Sequence, residues 1–199
     1  MGGVIIDLNI ERCSNTFKER AGMYKIDEFL DPCHPRGIFF DMESGKTSVE
    51  EFYTQALGYS RPGTTREDIL QSFGSLFDGI DADKPALLNE LKEKYPLYIL
   101  SNNNPVALST SGPVMASYGI PLETTFVDCF WSYEFKMMKP DVRFFQAVAE
   151  RIGMLPEELL FIDDSPRNAA AAAEAGWKSI YYIPHTDLRK AIFDVLNNQ

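Results

Sequence analysis

The sequence predicts an α/β fold in which a parallel β-sheet lies between layers of helices and carries a helical insertion. Five short β-rich segments contain few alternating polar residues, as is typical of strands buried on both faces. Helical patterns separate the later segments, and this strand–helix alternation favours parallel strands. Residues 10–79 break the alternation and contain helical patterns alone.

The predicted strands, in chain order, are residues 3–6, 97–100, 127–131, 159–162 and 179–183. The predicted helices between them are residues 84–94, 105–118, 141–152 and 168–175. This order of strand and helix is typical of a parallel sheet with helices on both sides. We therefore expect consecutive strands of this part of the chain to run in the same direction.

Residues 10–79 are predicted to form an inserted helical cap, and residues 1–9 and 80–199 the α/β core. Within the insertion, Ser48 and Glu51 match a capping box. In that motif the serine caps free N–H groups of a helix and the glutamate reaches back to the serine N–H. A helix is therefore expected to begin directly after Ser48.

Composition narrows the classes of function and location. The formal net charge is −10, so the chain lacks the excess of basic residues that binding to nucleic acid requires. Cys13, Cys33 and Cys129 are few and widely spaced, which favours reduced thiols and a cytoplasmic location. No apolar run approaches the ~18 residues of a membrane span. We expect neither a nucleic-acid nor a membrane partner, and oligomeric state is not predicted.

Polar side chains cluster at the predicted strand exits. Ser101 and Asn102 follow the second strand, Asp163 and Asp164 follow the fourth, and Lys139 opens the helix between them. Ligands of open α/β sheets bind beyond the carboxyl ends of the strands, so these residues are expected to converge. Paired carboxylates suit Mg²⁺, while a lysine and a hydroxyl suit phosphate oxygens.

Each of these residues also has a purely structural interpretation. Ser101 could belong to a helix N-cap, and Lys139 before a proline could be a solvated loop residue. Asp163 and Asp164 are harder to explain that way, because adjacent carboxylates after a buried strand are costly without a cation. Taken together in this order, the residues favour a phosphate and metal site.

The chain resembles the haloacid dehalogenase superfamily along essentially its whole length. Three of the four family motifs are present: a strand ending in Ser101, Lys139 before a proline, and Asp163-Asp164 after a strand, followed by Asn168 and an alanine-rich helix. The resemblance implies a three-layer Rossmann-like core with a small helical cap, like that of sugar-phosphate phosphatases. It also implies Mg²⁺-dependent hydrolysis through an aspartyl-phosphate.

The first family motif requires an aspartate nucleophile. Asp7 could be taken as that aspartate, but residues 2–7, Gly-Gly-Val-Ile-Ile-Asp, resemble the segment that follows it. In this alignment the nucleophile is the residue directly before Met1, and Asp7 is structural. A mis-assigned start, a truncated chain and an inactive relative of the enzymes would each give such a sequence.

By resemblance, Asp164 ligates Mg²⁺, with Asp163 beside it and the backbone carbonyl of Gly2 as a further ligand. Ser101 and Asn102 would hold the phosphate of a small phosphorylated metabolite, and Lys139 would balance its charge. The cap would select the substrate, which this sequence does not specify. The alternative is a catalytically inactive domain that binds phosphate or another ligand; metal-free dehalogenation fits less well, because it does not use the acidic pair.

Gly2 stands where most of the superfamily carries a second aspartate, the acid–base group of the reaction. Glycine offers no proton. Hydrolysis is then expected to favour aryl or acyl phosphates, whose leaving groups depart as anions, unless a cap residue or a bound water molecule supplies the proton.

Overall fold

The computed structural model describes residues 1–30 and 36–197. Its strands are short and, in chain order, are β1 (Asp7–Leu8), β2 (Phe77–Gly79), β3 (Tyr98–Ser101), β4 (Asp128–Trp131), β5 (Leu160–Asp163) and β6 (Lys178–Tyr181). β3 to β6 confirm the four later predicted strands to within two residues at their ends. Strand and helix therefore alternate in this part of the chain, as the hydrophobic pattern indicated.

The four later strands form two parallel pairs. β3 pairs with β4 and β5 with β6, both in parallel, with Ser101 opposite Trp131 and Asp163 opposite Tyr181. β1 and β2 form a short antiparallel pair. Since the strands of each parallel pair end level with one another, the residues that follow them emerge at a common edge.

Helices of the core follow the strands: α6 (Lys84–Lys92), α7 (Pro105–Ser117), α8 (Leu122–Thr125), α9 (Ser132–Phe135), α10 (Val142–Ile152), α11 (Pro166–Glu174) and α12 (Leu188–Leu196). The same numbering assigns α1–α5 to the preceding helices. Asn104 caps α7, Asp141 caps α10 and Ser165 caps α11, each by accepting a hydrogen bond from a backbone N–H. These caps fix the loops at the strand exits.

The predicted strand at residues 3–6 is wrong, because these residues form a turn. The Ile5 N–H donates to the Met1 carbonyl at 2.9 Å, and the Gly3 N–H donates to the Ile6 carbonyl at 2.9 Å. Gly3 has φ +74°, a backbone conformation that favours glycine. Val4 and Ile5 are buried in the core by this turn, so their apolar character reflects burial without strand pairing.

The insertion contains α1 (Ile10–Thr16), which continues into a π-helical turn, followed by α2 (Ile26–Phe29), α3 (Gly37–Glu43), α4 (Val49–Gly58) and α5 (Arg66–Gly74). The capping box at Ser48 is confirmed: Glu51 N–H donates to Ser48 Oγ at 3.3 Å, and Ser48 N–H donates to the Glu51 carboxylate at 2.9 Å. One short strand, β2, lies in the range expected to be purely helical.

The inserted helices pack around an apolar cluster that also takes in Val106 and Ala107 of α7. Phe17, Phe39, Phe52 and Phe73 pack there, with Phe39 in edge or tilted contact with each of the other three rings. Because most of this cluster comes from the inserted helices, we propose that residues 10–79 act as a cap unit on a core of residues 1–9 and 80–199.

Among the described residues, no helix combines the length and apolar character needed to cross a bilayer. Cys13 and Cys129 are free thiols, and burial raises their pKa values to about 12 and about 11. Both therefore carry protonated, weakly reactive thiols at neutral pH. Cys33 lies outside the described residues.

Candidate active site

A buried ion pair lies at the centre of the strand exits. The Lys139 ammonium donates to Asp163 Oδ2 at 2.6 Å and to the Leu100 carbonyl at 3.2 Å. The two side chains are 6% and 5% exposed. Ser101 is the next residue after Leu100 and is itself buried. The structure thus joins the ends of β3 and β5 through Lys139, as the sequence predicts.

Asp163 is fully engaged by its neighbours. Its Oδ1 accepts from Ser165 N–H at 2.9 Å and from Asn168 Nδ2 at 2.8 Å, while Oδ2 accepts from Lys139. Burial alone would raise the pKa of Asp163, but the Lys139 charge and these hydrogen bonds lower it below its ordinary value. Asp163 is therefore the anion that fixes the Lys139 ammonium in place.

The Asn102 side chain holds the backbone of Lys139 through two hydrogen bonds. The Asn102 amide donates to the Lys139 carbonyl at 2.9 Å and accepts from the Lys139 N–H at 2.8 Å. Both polar atoms of this side chain are thus committed to positioning the lysine. The phosphate-binding role predicted for Asn102 stays a prediction.

Asp164 differs from Asp163 in that its carboxylate makes no hydrogen bond to another side chain and no ion pair among the described residues; its own backbone N–H bonds to it. Burial and the neighbouring Asp163 charge raise the pKa of Asp164. A Cβ at Gly3 would lie 2.0 Å from Asp164 Oδ2, so the absence of a side chain at Gly3 makes room for this carboxylate. An unpaired, partly buried carboxylate of this kind is a suitable ligand for a divalent cation.

The amino end of the chain lies in the same site. The Met1 nitrogen is buried and lies close enough to Lys139, Asp163 and Asp164 to interact with the charge of each. Gly2 follows directly in the chain, and the metal-ligand role predicted for its carbonyl stays a prediction.

Asp7 lies elsewhere, as its structural interpretation requires. Its carboxylate accepts from the buried Lys84 ammonium at 3.3 Å, and Asp81 pairs with the same ammonium at 3.0 Å. Asp7, Asp81 and His185 could bring three ligand atoms within 4.8 Å of one another. Since the Lys84 ammonium already pairs with both carboxylates, this cluster is explained as an ion-pair network.

The structure adds residues that the sequence analysis did not select. Ser132 Oγ accepts from Asn103 N–H at 3.0 Å and donates to the Glu43 carbonyl at 2.7 Å, so it links the core to the cap. Ser132 directly follows β4, and the strand-exit rule applied to that strand would have found it. No sequence pattern indicated Glu43, because its proximity depends on how the cap sits on the core.

The six predicted site residues fall into two groups. The side chains of Asn102 and Asp163 each bond to Lys139, and Ser101 directly precedes Asn102. The Asp164 side chain makes no bond to this group among the described residues, and Gly2 follows Met1, whose nitrogen lies near Lys139, Asp163 and Asp164. Asp164, the Gly2 carbonyl and Asp163 remain the candidate Mg²⁺ ligands.

Comparison with known proteins agrees with this geometry. A family model for haloacid dehalogenase-like hydrolases matches residues 75–176. The D-ribitol-5-phosphate phosphatase of Bacteroides thetaiotaomicron is 30% identical over 99% of this chain and 96% of that protein. The phosphorylated carbohydrates phosphatase of Thermotoga maritima is 26% identical over 75% of this chain and 85% of that protein.

Two solved structures confirm the predicted α/β fold. A haloacid dehalogenase-family enzyme of Bacteroides thetaiotaomicron, in complex with magnesium and inorganic phosphate, is 32% identical with a TM-score of 0.86, covering 94% of this chain and 93% of that one. A predicted haloacid dehalogenase-like hydrolase of Porphyromonas gingivalis is 33% identical with a TM-score of 0.89, covering 100% and 95%.

Proposed function

This chain belongs to the haloacid dehalogenase-like hydrolases, and from that premise we propose that it is a Mg²⁺-dependent phosphatase of small phosphorylated metabolites. The observation that carries the proposal is the buried Lys139–Asp163 pair beside the unpaired carboxylate of Asp164. This arrangement provides a fixed cation for phosphate oxygens and a separate anion for a metal. Phosphoryl transfer needs both groups.

The residues at the site fit the metal. Asp164 would be the principal protein ligand, with the Gly2 carbonyl beside it and Asp163 nearby. Bound Mg²⁺ would neutralise phosphate oxygens and orient the phosphoryl group. Asp163 would chiefly hold Lys139, whose ammonium would balance the remaining charge of the phosphate. Ser101, with Asn102, would hold the phosphate at the end of β3.

For the nucleophile, we propose an aspartate joined directly to Met1. The position of the Met1 nitrogen near Lys139, Asp163 and Asp164 supports this, since a residue attached to it would stand at the phosphate site. Its carboxylate oxygen would attack phosphorus as the bond to the leaving oxygen breaks. Water would then cleave the resulting aspartyl-phosphate and release inorganic phosphate.

For the substrate, we propose phosphate monoesters of sugars and polyols as the first candidates. The names of the relatives support this class, because one acts on D-ribitol 5-phosphate and another on phosphorylated carbohydrates. The cap formed by residues 10–79 would close over the leaving group and select among such substrates.

The test compares three proteins: the printed chain, the chain with an aspartate directly before Met1, and the chain with an asparagine there. Each is assayed for phosphate release from a panel of sugar, polyol and aryl phosphates, with Mg²⁺ and then with chelator. We expect turnover only with the aspartate and only with Mg²⁺. In that protein Asp164→Asn should lose at least ~100-fold in kcat/KM, since metal stabilisation contributes several kcal/mol.

Full activity in chelator would rule out the metal role of Asp164. Binding of inorganic phosphate without turnover in the aspartate-bearing protein would instead favour the alternative, a ligand-binding domain.

A further inference from the structure

The proposed reaction needs a proton at a defined place. When an alkyl phosphate is cleaved, the leaving oxygen departs as an alkoxide unless an acid protonates it, and a positioned acid typically contributes ~10²–10⁴-fold. Gly2 has no side chain to supply that proton. Asp163 is committed to Lys139, and Asp164 is the proposed metal ligand.

Glu43 of the cap lies at this site. It is the last residue of α3, and its carbonyl accepts from Ser132 Oγ at 2.7 Å. Ser132 is fully buried and also accepts from the Asn103 N–H at 3.0 Å, two residues after Ser101. The end of the cap helix is therefore fixed to the strand exits, and Glu43 is held there by its own backbone.

The Glu43 carboxyl lies near Asn104 and Lys139, since both lower its pKa. Asn104 is completely buried; its Oδ1 caps α7, and its Nδ2 has no hydrogen-bond partner of good geometry among the described residues. That amide lies close enough to the Glu43 carboxyl to lower its pKa, as does the Lys139 charge. A buried donor without a partner is costly, so this amide is available to a ligand oxygen beside Glu43.

Burial of Glu43 outweighs both neighbours and raises the pKa of its carboxyl to about 7. The other titratable side chains on α3 and on the elements packed against it are Asp41 on α3, Asp27 and Glu28 on α2, Glu50, Glu51 and Tyr53 on α4, Tyr133 and Glu134 on α9, and Lys136 just after α9. Of those outside α3, all but the two tyrosines are exposed, so Lys139 is the buried charge that acts on Glu43. Such a carboxyl can both give and take a proton near neutral pH.

We propose that Glu43 is the general acid–base of this site and takes the place of the missing carboxylate at Gly2; the inference rests on the proposed phosphatase function. In the first step the aspartate oxygen bonds to phosphorus, the bond to the leaving oxygen breaks, and the Glu43 proton passes to that oxygen. In the second step the Glu43 carboxylate takes a proton from a water molecule. The oxygen of that water attacks phosphorus, and the bond between phosphorus and the aspartate oxygen breaks.

The experiment replaces Glu43 by glutamine in the protein that carries an aspartate before Met1. The kcat/KM is measured for an alkyl phosphate, such as a polyol phosphate, and for p-nitrophenyl phosphate. We expect Glu43→Gln to lower the alkyl value by ~10²–10⁴-fold and to change the aryl value little, because nitrophenolate needs no proton to leave. The exposed cap variant Glu19→Gln is the matched control and should leave both unchanged.

Two further readouts separate chemistry from structure. With the alkyl ester, kcat/KM of the unsubstituted protein should fall as pH rises through about 7, and Glu43→Gln should remove that limb. Binding of inorganic phosphate with Mg²⁺, followed by calorimetry, should be the same in both proteins. Equal losses on both esters, or no loss on either, would overturn the role of Glu43. If the protein that carries the added aspartate and an intact Glu43 hydrolyses no phosphate ester at all, the proposed function fails, and this inference fails with it.

Discussion

Lys139 and Asp163 compensate each other's buried charge. Both side chains are buried, and their 2.6 Å contact replaces the water that each charge has lost. Removing one partner leaves the other charge buried and unpaired, which typically costs about 3–5 kcal/mol. Replacing both residues together should therefore restore much of the stability without restoring the activity.

We predict that Lys139→Met lowers the free energy of unfolding by about 3–5 kcal/mol, the typical cost of an unpaired buried charge. Adding Asp163→Asn should recover much of that loss, since the unpaired charge is gone while Asn168 can still bond to residue 163. Phosphatase activity should stay low in both variants. Urea denaturation of the two single variants and the double variant measures the coupling, and additive losses would contradict it.

The same pair predicts a pH dependence of stability. The folded-state pKa of Asp163 lies below the ordinary 3.8, so its ionisation stabilises the fold above that value. The contribution should be lost as pH falls below 3.8 through the depressed value. In the Asp163→Asn protein, the free energy of unfolding should decline less steeply over this acidic range. Identical acid profiles would show that Asp163 gains nothing from Lys139.

Among the secondary-structure elements, the end of α3 and the end of β4 are joined by one hydroxyl. Ser132 Oγ contacts Glu43 of the cap and Asn103 of the core in a fully buried position. Gly45 adds a second close approach, because a Cβ there would lie 2.4 Å from the Tyr133 carbonyl. The cap is thus seated on the core by short-range contacts at the edge of the site.

Ser132→Ala should lower the free energy of unfolding by about 1–3 kcal/mol, because the Glu43 carbonyl and the Asn103 N–H lose their buried partner. It should also lower kcat/KM for alkyl phosphates more than for aryl phosphates if Glu43 is the proton donor. Ser109→Ala is the control, since Ser109 is exposed and bonds only to a carbonyl of its own helix. Equal effects of the two substitutions on the free energy of unfolding would argue against a stabilising role for the Ser132 hydrogen bonds.

For the molecule as a whole, the site gathers four separate parts of the chain: the amino end, the exit of β3, the loop at Lys139 and the exit of β5. A ligand that contacts all four stabilises the folded state alone. At a concentration 100 times its dissociation constant, such a ligand contributes about 2.7 kcal/mol. The overall charge of −10 makes a local cation important for binding an anion.

We therefore expect Mg²⁺ and inorganic phosphate together, near saturation, to raise the melting temperature by about 5–10 °C for a chain of this size. Chelator should abolish the shift, and Asp164→Asn should show little of it. Differential scanning calorimetry of the two proteins measures this. A full shift in chelator would mean that phosphate binds without the carboxylate-bound metal.

From residue 84 onward the main alternation of strands and helices was predictable from the sequence, because hydrophobic periodicity and capping residues act over a few neighbouring positions. The sequence also predicted that Ser101, Lys139 and Asp163-Asp164 meet, since parallel strands place their exits at one edge. The turn at residues 3–6 was predicted as a strand because burial in a turn and burial in a strand select the same apolar residues.

Which groups lie opposite one another across the site depends on tertiary packing. Both carboxylate oxygens of Asp163 are hydrogen-bonded, whereas Asp164 forms no ion pair with any described residue, although the two aspartates are adjacent in the chain. It brought Glu43 from a helix 58 positions before Ser101 to the neighbourhood of Lys139. The physical reason is that charge pairing and burial depend on distances in space, which the packing of cap on core fixes and no local pattern records.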